Sequence, residues 1–243
     1  MTECPPHWFS RIKTVTFDLD DTFWDLYPVM MRAEAQVLQF TEQEVPQVTP
    51  VLKDKEHALR VRQQLLDETP ELALDVNQWR LQYYRVQLEH AGFQGSQSLD
   101  MAHKLWEVYC HGRNQVELFA GVEQVLQMLK GHKVLGTLTN GNADLQRIGL
   151  SAYFNFSLDP SQVGSQKPDS KMFTMAGDKA QCAMEEILHI GDDPVRDVDG
   201  ARNAGAQALW FNPGGSLWPM DSPEPMQMRS WDACIDYLRT TDR

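Results

Sequence analysis

Metal-binding histidine pairs, paired cysteines, basic clusters and long apolar runs are all missing from this 243-residue chain. Cys4, Cys110, Cys182 and Cys234 lie far apart with no C-x-x-C, which argues against a zinc site or a redox dithiol and suits a reducing compartment. The seven histidines show no H-x-x-x-H or comparable ligand spacing. Nucleic-acid binding needs clustered Lys and Arg to displace counterions, but the net charge is -12 and no such cluster occurs. No stretch approaches bilayer-spanning length, and the opening MTECPPHWFSRIK lacks an apolar signal-peptide core. These absences point to a cytoplasmic protein with a small-molecule partner and neither nucleic acid nor membrane. Internal repeats and low-complexity tracts are also lacking.

What is present falls into two textures. Periodicity predicts helices over Pro28 to Gln43, Lys53 to Glu68, Asp75 to Ala91 and Ser98 to Gly112, with Ser98 as an N-cap and a proline-marked break over Val45 to Pro50. No strand candidate interrupts them. After about Asn114 helices and strands alternate: Gly121 to Lys130 (helix), Val134 to Leu138 (strand), Ala143 to Leu150 (short helix), Asp169 to Lys179 (helix), Ile187 to Ile190 (strand), Pro194 to Ala204 (helix) and Ala208 to Phe211 (strand). Thr14 to Phe17 reads as a strand belonging to this later group. Such alternation implies βαβ crossovers and a parallel sheet, hence an α/β fold with a Rossmann-like core. The expected domains are 1–22 with 115–243 as core and 23–114 as an inserted helical module. Asn212 to Met228, rich in Pro and Gly, reads as a long loop that can border a site, followed by a last helix near Trp231 to Leu238.

The chemistry concentrates where Thr14 to Phe17 ends. Asp18 and Asp20 stand one residue apart and are followed by Asp21 and Thr22. Ligands of open α/β sheets bind at that edge. Carboxylates so crowded repel unless a cation neutralises them or one keeps a proton, and a hard, oxygen-seeking ion such as Mg²⁺ meets the first condition. Further polar punctuation follows at Thr139-Asn140-Gly141-Asn142, at Lys167-Pro168, and at Gly191-Asp192-Asp193 with Asp197. Any one of these reads equally well as a turn or a helix cap; four in order do not.

Together they resemble, in order and spacing, the four signature motifs of the haloacid dehalogenase superfamily of phosphohydrolases. The resemblance covers nearly the whole chain, and the helical module is similar to that family's C1-type cap. It implies an aspartyl-phosphate formed on Asp18, with Asp20 protonating the leaving alkoxide and then activating water, which requires a proton on Asp20 while Asp18 is ionised. It also implies Mg²⁺ held by the Asp18 carboxylate, the Asp20 carbonyl and Asp192, with Asp193 or Asp197 behind them. Phosphoryl oxygens would meet Thr139 and the Asn140 N–H, and Lys167 would offset charge. No organic cofactor is implied. The family's first motif more often has Gly in place of Asp21. The segments DLDDTFWD, LTNGNADLQ, SQKPDSKMF and HIGDDPVRDVDGARNAG are most similar to its riboflavin-pathway branch, whose members dephosphorylate 5-amino-6-(5-phospho-D-ribitylamino)uracil and flavin mononucleotide.

Three rivals remain open at this point. A phosphoglucomutase-like phosphotransferase keeps the same residues, a receiver module arranges its acids differently and is shorter, and a phosphate-binding protein would bind without turnover. A dehalogenase would lack the acid at Asp20. Specificity is expected in the helical cap, where Trp79 and Tyr83 share a helix face and can either stack on a planar ring or pack between helices. Trp24 reads as packing rather than as a substrate contact.

Overall fold

The computed structural model describes residues 9–235. Cys4 and the part of the expected last helix beyond 235 lie outside them, while residues 231–235 are helical. Two compact units are present: residues 9–25, Glu117–Gly141 and 149–235 form one, and Leu26–Val116 with Asn142–Ile148 form the other.

The first unit is built on six strands: β1 (Thr14–Phe17), β2 (Val134–Leu138), β3 (Phe156–Leu158), β4 (Ile187–Gly191), β5 (Gln207–Phe211) and β6 (Met226–Met228). All pair in parallel, in the order β3-β2-β1-β4-β5-β6. Every residue of β1 and β4 is buried, as expected of central strands covered on both faces. The register fixes the site. Phe17 pairs with Thr137 on one side and Ile190 on the other, so Asp18, Thr139 and Asp192 leave the sheet along the same edge.

Two of these strands, β3 and β6, have three residues each, too short for any alternation to show in sequence, and β6 lies inside the expected loop Asn212 to Met228. The helix expected over Pro194 to Ala204 begins as a π-helical turn, Pro194–Asp199. Asp193 causes the widening: its side chain accepts from Val195 N and Arg196 N, and its carbonyl accepts from both Asp197 N (3.0 Å) and Val198 N (3.3 Å).

In the second unit, α1 (Leu26–Glu44), α2 (Thr49–Lys53), α3 (Lys55–Glu68), α4 (Val76–His90) and α5 (Ser96–Arg113) carry the chain, with a short α7 (Leu145–Ile148) after α6 (Val122–Leu129) of the first unit. No strand occurs among the described residues of this unit. The expected break over Val45 to Pro50 instead contains the start of α2, whose first turn accepts Pro50 because that position needs no N–H. Ser98 is not the N-cap of α5. Gly95 holds that position, and the Ser98 hydroxyl donates to the Gly95 carbonyl at 2.9 Å. The core joins Ala33, Val37, Tyr84, Leu88, Ala102, Leu105 and Tyr109. Buried Arg80 donates to Glu34 at 2.6 Å, and its guanidinium lies 3.7 Å from the Tyr109 ring centroid. Trp79 and Tyr83 stack on each other, with centroids 5.5 Å apart. No helix among the described residues is long and apolar enough to cross a membrane.

Candidate active site

One carboxylate oxygen from each of Asp18, Asp192 and Asp197 lies within 4.8 Å of the other two. The chain brings them there from three places: the end of β1, the end of β4 and the π-helical turn. Buried Lys167 reaches into the group, with Nζ 2.7 Å from Asp18 Oδ1 and 2.5 Å from Asp197 Oδ1. Gly191 makes this approach possible. A Cβ there would sit 2.3 Å from the Asp197 side chain, so any larger residue would push Asp197 off Lys167.

Thr139 is buried at the end of β2, and its hydroxyl oxygen accepts from Gly141 N at 2.9 Å, which shapes the turn and leaves the hydroxyl proton to be donated. Asn140 is tied to Lys167 by a reciprocal pair: its amide donates to the Lys167 carbonyl and accepts from the Lys167 N–H, both at 2.9 Å. Asp20 brings no carboxylate to the three-acid group. Its Oδ1 accepts from Trp24 Nε1 at 2.9 Å. Of the two acids weighed as supports, Asp193 caps the π-helical turn, while Asp197 contacts Lys167.

Burial raises the Asp18 carboxyl well above its ordinary range; Lys167 opposes this, but repulsion from Asp197 and Asp192 adds to it. Asp192 is pushed up to about 7 by burial first, then by Asp197 and Asp21. Asp197 goes the other way: although burial opposes ionisation, Lys167 and His189 hold it charged. Burial would lower the Lys167 ammonium, yet Asp18 and Asp197 outweigh it and keep the amine protonated. These directions fit one distribution of charge, with Lys167 and Asp197 paired and the excess repulsion falling on Asp18 and Asp192. When all three carboxylates are ionised, the Lys167 ammonium offsets one of their charges and leaves a deficit of two. An all-oxygen donor set with that deficit fits a hard divalent cation.

The sign of the pH dependence follows. Asp192 binds a proton in the folded chain between its ordinary range near 3.8 and about 7, where the unfolded chain has lost it, so the cation-free protein loses stability as pH rises through that window. A cation competes with the same proton. Adding Mg²⁺ to EDTA-treated protein should therefore raise Tm little at pH 5 and by several degrees at pH 8, on the order of a few kcal/mol. A melting curve at pH 8 that ignores Mg²⁺ would count against the assigned donor set.

Sequence reasoning passed over several residues that hold this arrangement. The buried Thr22 hydroxyl donates to Asp192 Oδ1 at 3.0 Å and lies 3.5 Å from Asp18 Oδ2, bridging the two acids that no ammonium fully balances. His189, buried in β4, contacts Thr16 Oγ1 through Nδ1 (2.9 Å) and Asp197 through Nε2 (3.1 Å). Burial lowers its pKa, so the ring is neutral. An ionised Asp197 only accepts, which places the single ring proton on Nε2 and leaves Nδ1 to accept from Thr16. Trp231 Nε1 donates to the Thr22 carbonyl at 3.0 Å, and Trp210 Nε1 to the Asp192 carbonyl at 2.8 Å, fixing both acid-bearing loops. The only sequence signals were a hydroxyl two residues beyond the acid pair and a histidine inside an apolar strand.

The sequence model of the haloacid dehalogenase-like hydrolases matches residues 12–205. The 5-amino-6-(5-phospho-D-ribitylamino)uracil phosphatase YigB of Escherichia coli (strain K12) is 33% identical over 225 residues, covering 92% of this chain and 90% of that protein. Phosphoserine phosphatase of Thermus thermophilus is 34% identical over 167 residues, 66% of this chain and 65% of that protein. A crystal structure described as 2-haloacid dehalogenase from Pseudomonas syringae pv. Tomato DC3000 superposes with a TM-score of 0.89 at 36% identity, covering 94% of this chain and 98% of that one.

Proposed function

The chain belongs to the haloacid dehalogenase-like hydrolases, and from that premise we propose that it is a Mg²⁺-dependent phosphatase that hydrolyses a small organic phosphate monoester through an aspartyl-phosphate on Asp18. The observation that carries the reading is the Asp18–Lys167–Asp197 chain of contacts beside Asp192. It holds one carboxylate next to a fixed ammonium, with room in the charge balance for a divalent ion. The Asp18 and Asp192 carboxylates and the Asp20 carbonyl would hold Mg²⁺, which when bound keeps Asp18 ionised and offsets charge on the phosphoryl oxygens.

The remaining roles belong to the chain. An Asp18 carboxylate oxygen attacks phosphorus while the bond to the ester oxygen breaks, and Asp20 gives that oxygen its proton. Asp20 then takes a proton from water as the water attacks the aspartyl-phosphate, releasing inorganic phosphate and restoring Asp18. Trp24 Nε1 fixes Asp20 for both transfers. Thr139 donates its hydroxyl to a phosphoryl oxygen, the Asn140 N–H supplies a second donor, and Lys167 offsets the charge that builds up. Residues 23–114 are read as the cap.

Two relatives of similar identity carry different names, a phosphatase and a dehalogenase. The acid at Asp20 supports the phosphatase reading, because halide departs without a proton and needs no acid, whereas an alkoxide does. The substrate reading follows YigB and the motif texture: 5-amino-6-(5-phospho-D-ribitylamino)uracil or flavin mononucleotide. The test is phosphate release from a panel of metabolite esters with and without EDTA. Inorganic phosphate should appear only with Mg²⁺. Turnover that survives complete metal removal would end the Mg²⁺ assignment, and transfer of phosphate to a second sugar phosphate would favour the phosphotransferase.

A further inference from the structure

A cavity of about 500 Å³ opens in the first unit at the edge where β4 and β5 end. It shares Asp192 with the three-acid group, so it begins where that group leaves off. Its apolar lining includes Phe119, Trp210, Pro213 and Leu217, the last 91% exposed. Asp21, Asp25 and Asp192 also line it. The Pro- and Gly-rich segment after β5 supplies Asn212, Pro213, Gly214, Ser216, Leu217 and Pro219 to the lining.

We infer that this cavity receives the leaving alcohol of the ester, and that Asp21 and Leu217 determine which alcohols fit. The inference rests on the phosphatase reading and narrows it to one substrate class: neutral or cationic alcohols with a planar or apolar part and several O–H or N–H donors. The volume falls within the range of ordinary small-molecule sites. Ionised carboxylates only accept hydrogen bonds, so a lining that includes Asp21 and Asp25 beside the metal-holding Asp192 favours donor-rich groups. The same carboxylates repel a second phosphate or a carboxylate on the alcohol, which disfavours bisphosphates and hydroxy-acid esters such as 3-phosphoglycerate.

Asp21 carries a further mark. Its φ is +60°, in the left-handed region where glycine is the default residue. Asp tolerates that region better than most residues but gains no backbone stability there. Glycine would meet the backbone requirement at position 21 without bringing a carboxylate to the cavity.

The experiment uses the full-length protein with Mg²⁺ and three esters: uridine 5′-monophosphate (ring and donors), glycerol 3-phosphate (no ring) and 3-phosphoglycerate (anionic alcohol). Leu217→Ser should raise KM for uridine 5′-monophosphate about 5- to 10-fold with kcat retained, and move KM for glycerol 3-phosphate less than about 2-fold. Asp21→Gly and Asp21→Asn should each improve kcat/KM for 3-phosphoglycerate relative to uridine 5′-monophosphate by about 10-fold. Free uridine should inhibit the wild type competitively and the Leu217→Ser protein more weakly. If the variants shift all three esters in parallel while the wild type turns them over, the cavity assignment falls and the phosphatase reading stands. If the wild type releases phosphate from none of a wide panel, both fall.

Discussion

Asp18→Asn should reduce phosphate release by about four orders of magnitude or more while leaving the protein folded. The amide is not a nucleophile, so no acyl-phosphate can form, and single-turnover experiments should show neither a burst nor a labelled protein. Stability should move in the opposite sense from that of most core substitutions. Asp18 is held well above its ordinary range by burial and by Asp197 and Asp192, so an ionised Asp18 destabilises the cation-free fold. A neutral amide still accepts from Lys167 and removes that repulsion. In EDTA at pH 8, Asp18→Asn should therefore melt at or above the wild-type temperature, and the Mg²⁺-induced rise in Tm should shrink. Appreciable turnover by a preparation shown by mass to be uniformly Asn at this position would sink the nucleophile assignment.

Lys167→Met is expected to cost both activity and stability. The Lys167 side chain is 2% exposed, and its ammonium is the charge that keeps Asp197 ionised. Removing one partner of a buried ion pair costs about 3–5 kcal/mol, because the other charge stays buried without compensation. At this chain length that corresponds to a fall in Tm of about 10 °C. His189 and the Asp193 N–H still reach Asp197, so the loss should lie at the lower end. Turnover should fall by about 10²- to 10³-fold, as for removal of a fixed electrostatic stabiliser. Lys167→Arg should recover little, since a planar fork does not fit where a compact ammonium bridges two carboxylates at 2.7 and 2.5 Å. Wild-type melting in Lys167→Met would show that the ion pair is not what holds these loops together.

The sheet is legible because its central strands are continuous buried runs, TVTF and ILHIG, punctuated by polar residues at a common edge. The long helices are legible from their period, but Asp54, Asp75 and Asp169, which fall inside the expected helices, are the N-caps of α3, α4 and the helix Ser170–Ala180. Three-residue strands carry no period, which is why β3 and β6 leave no trace in the sequence pattern. Ser98 misleads because a serine that returns its proton to a carbonyl inside the first turn looks, in sequence, the same as one that caps it.

For the candidate site, residue types with one chemical use are easy to single out: acids crowded at a strand end and a lysine before proline. Residues whose part depends on a partner far along the chain are not. Thr22 meets Asp192 across 170 positions, and His189 meets Thr16 across 173. Nothing local marks either pairing. Trp24 is buried, as its reading as packing implies, but its indole N–H also finds Asp20 four positions earlier. A buried tryptophan must place that proton somewhere, and this expectation is available from sequence.

The widened turn at Pro194–Asp199 sets a limit on how this chain can vary in length. Surface connections usually tolerate gain or loss of a residue, but here Asp193 holds two successive amides at once, and the aspartate four places on sits at a spacing that an ordinary helix would not reproduce. Deleting one residue between them would restore regular winding and swing the downstream carboxylate around the axis by about 100°, away from the ammonium it neutralises. Indels among homologous chains should therefore avoid this hexapeptide and accumulate after Phe211 instead.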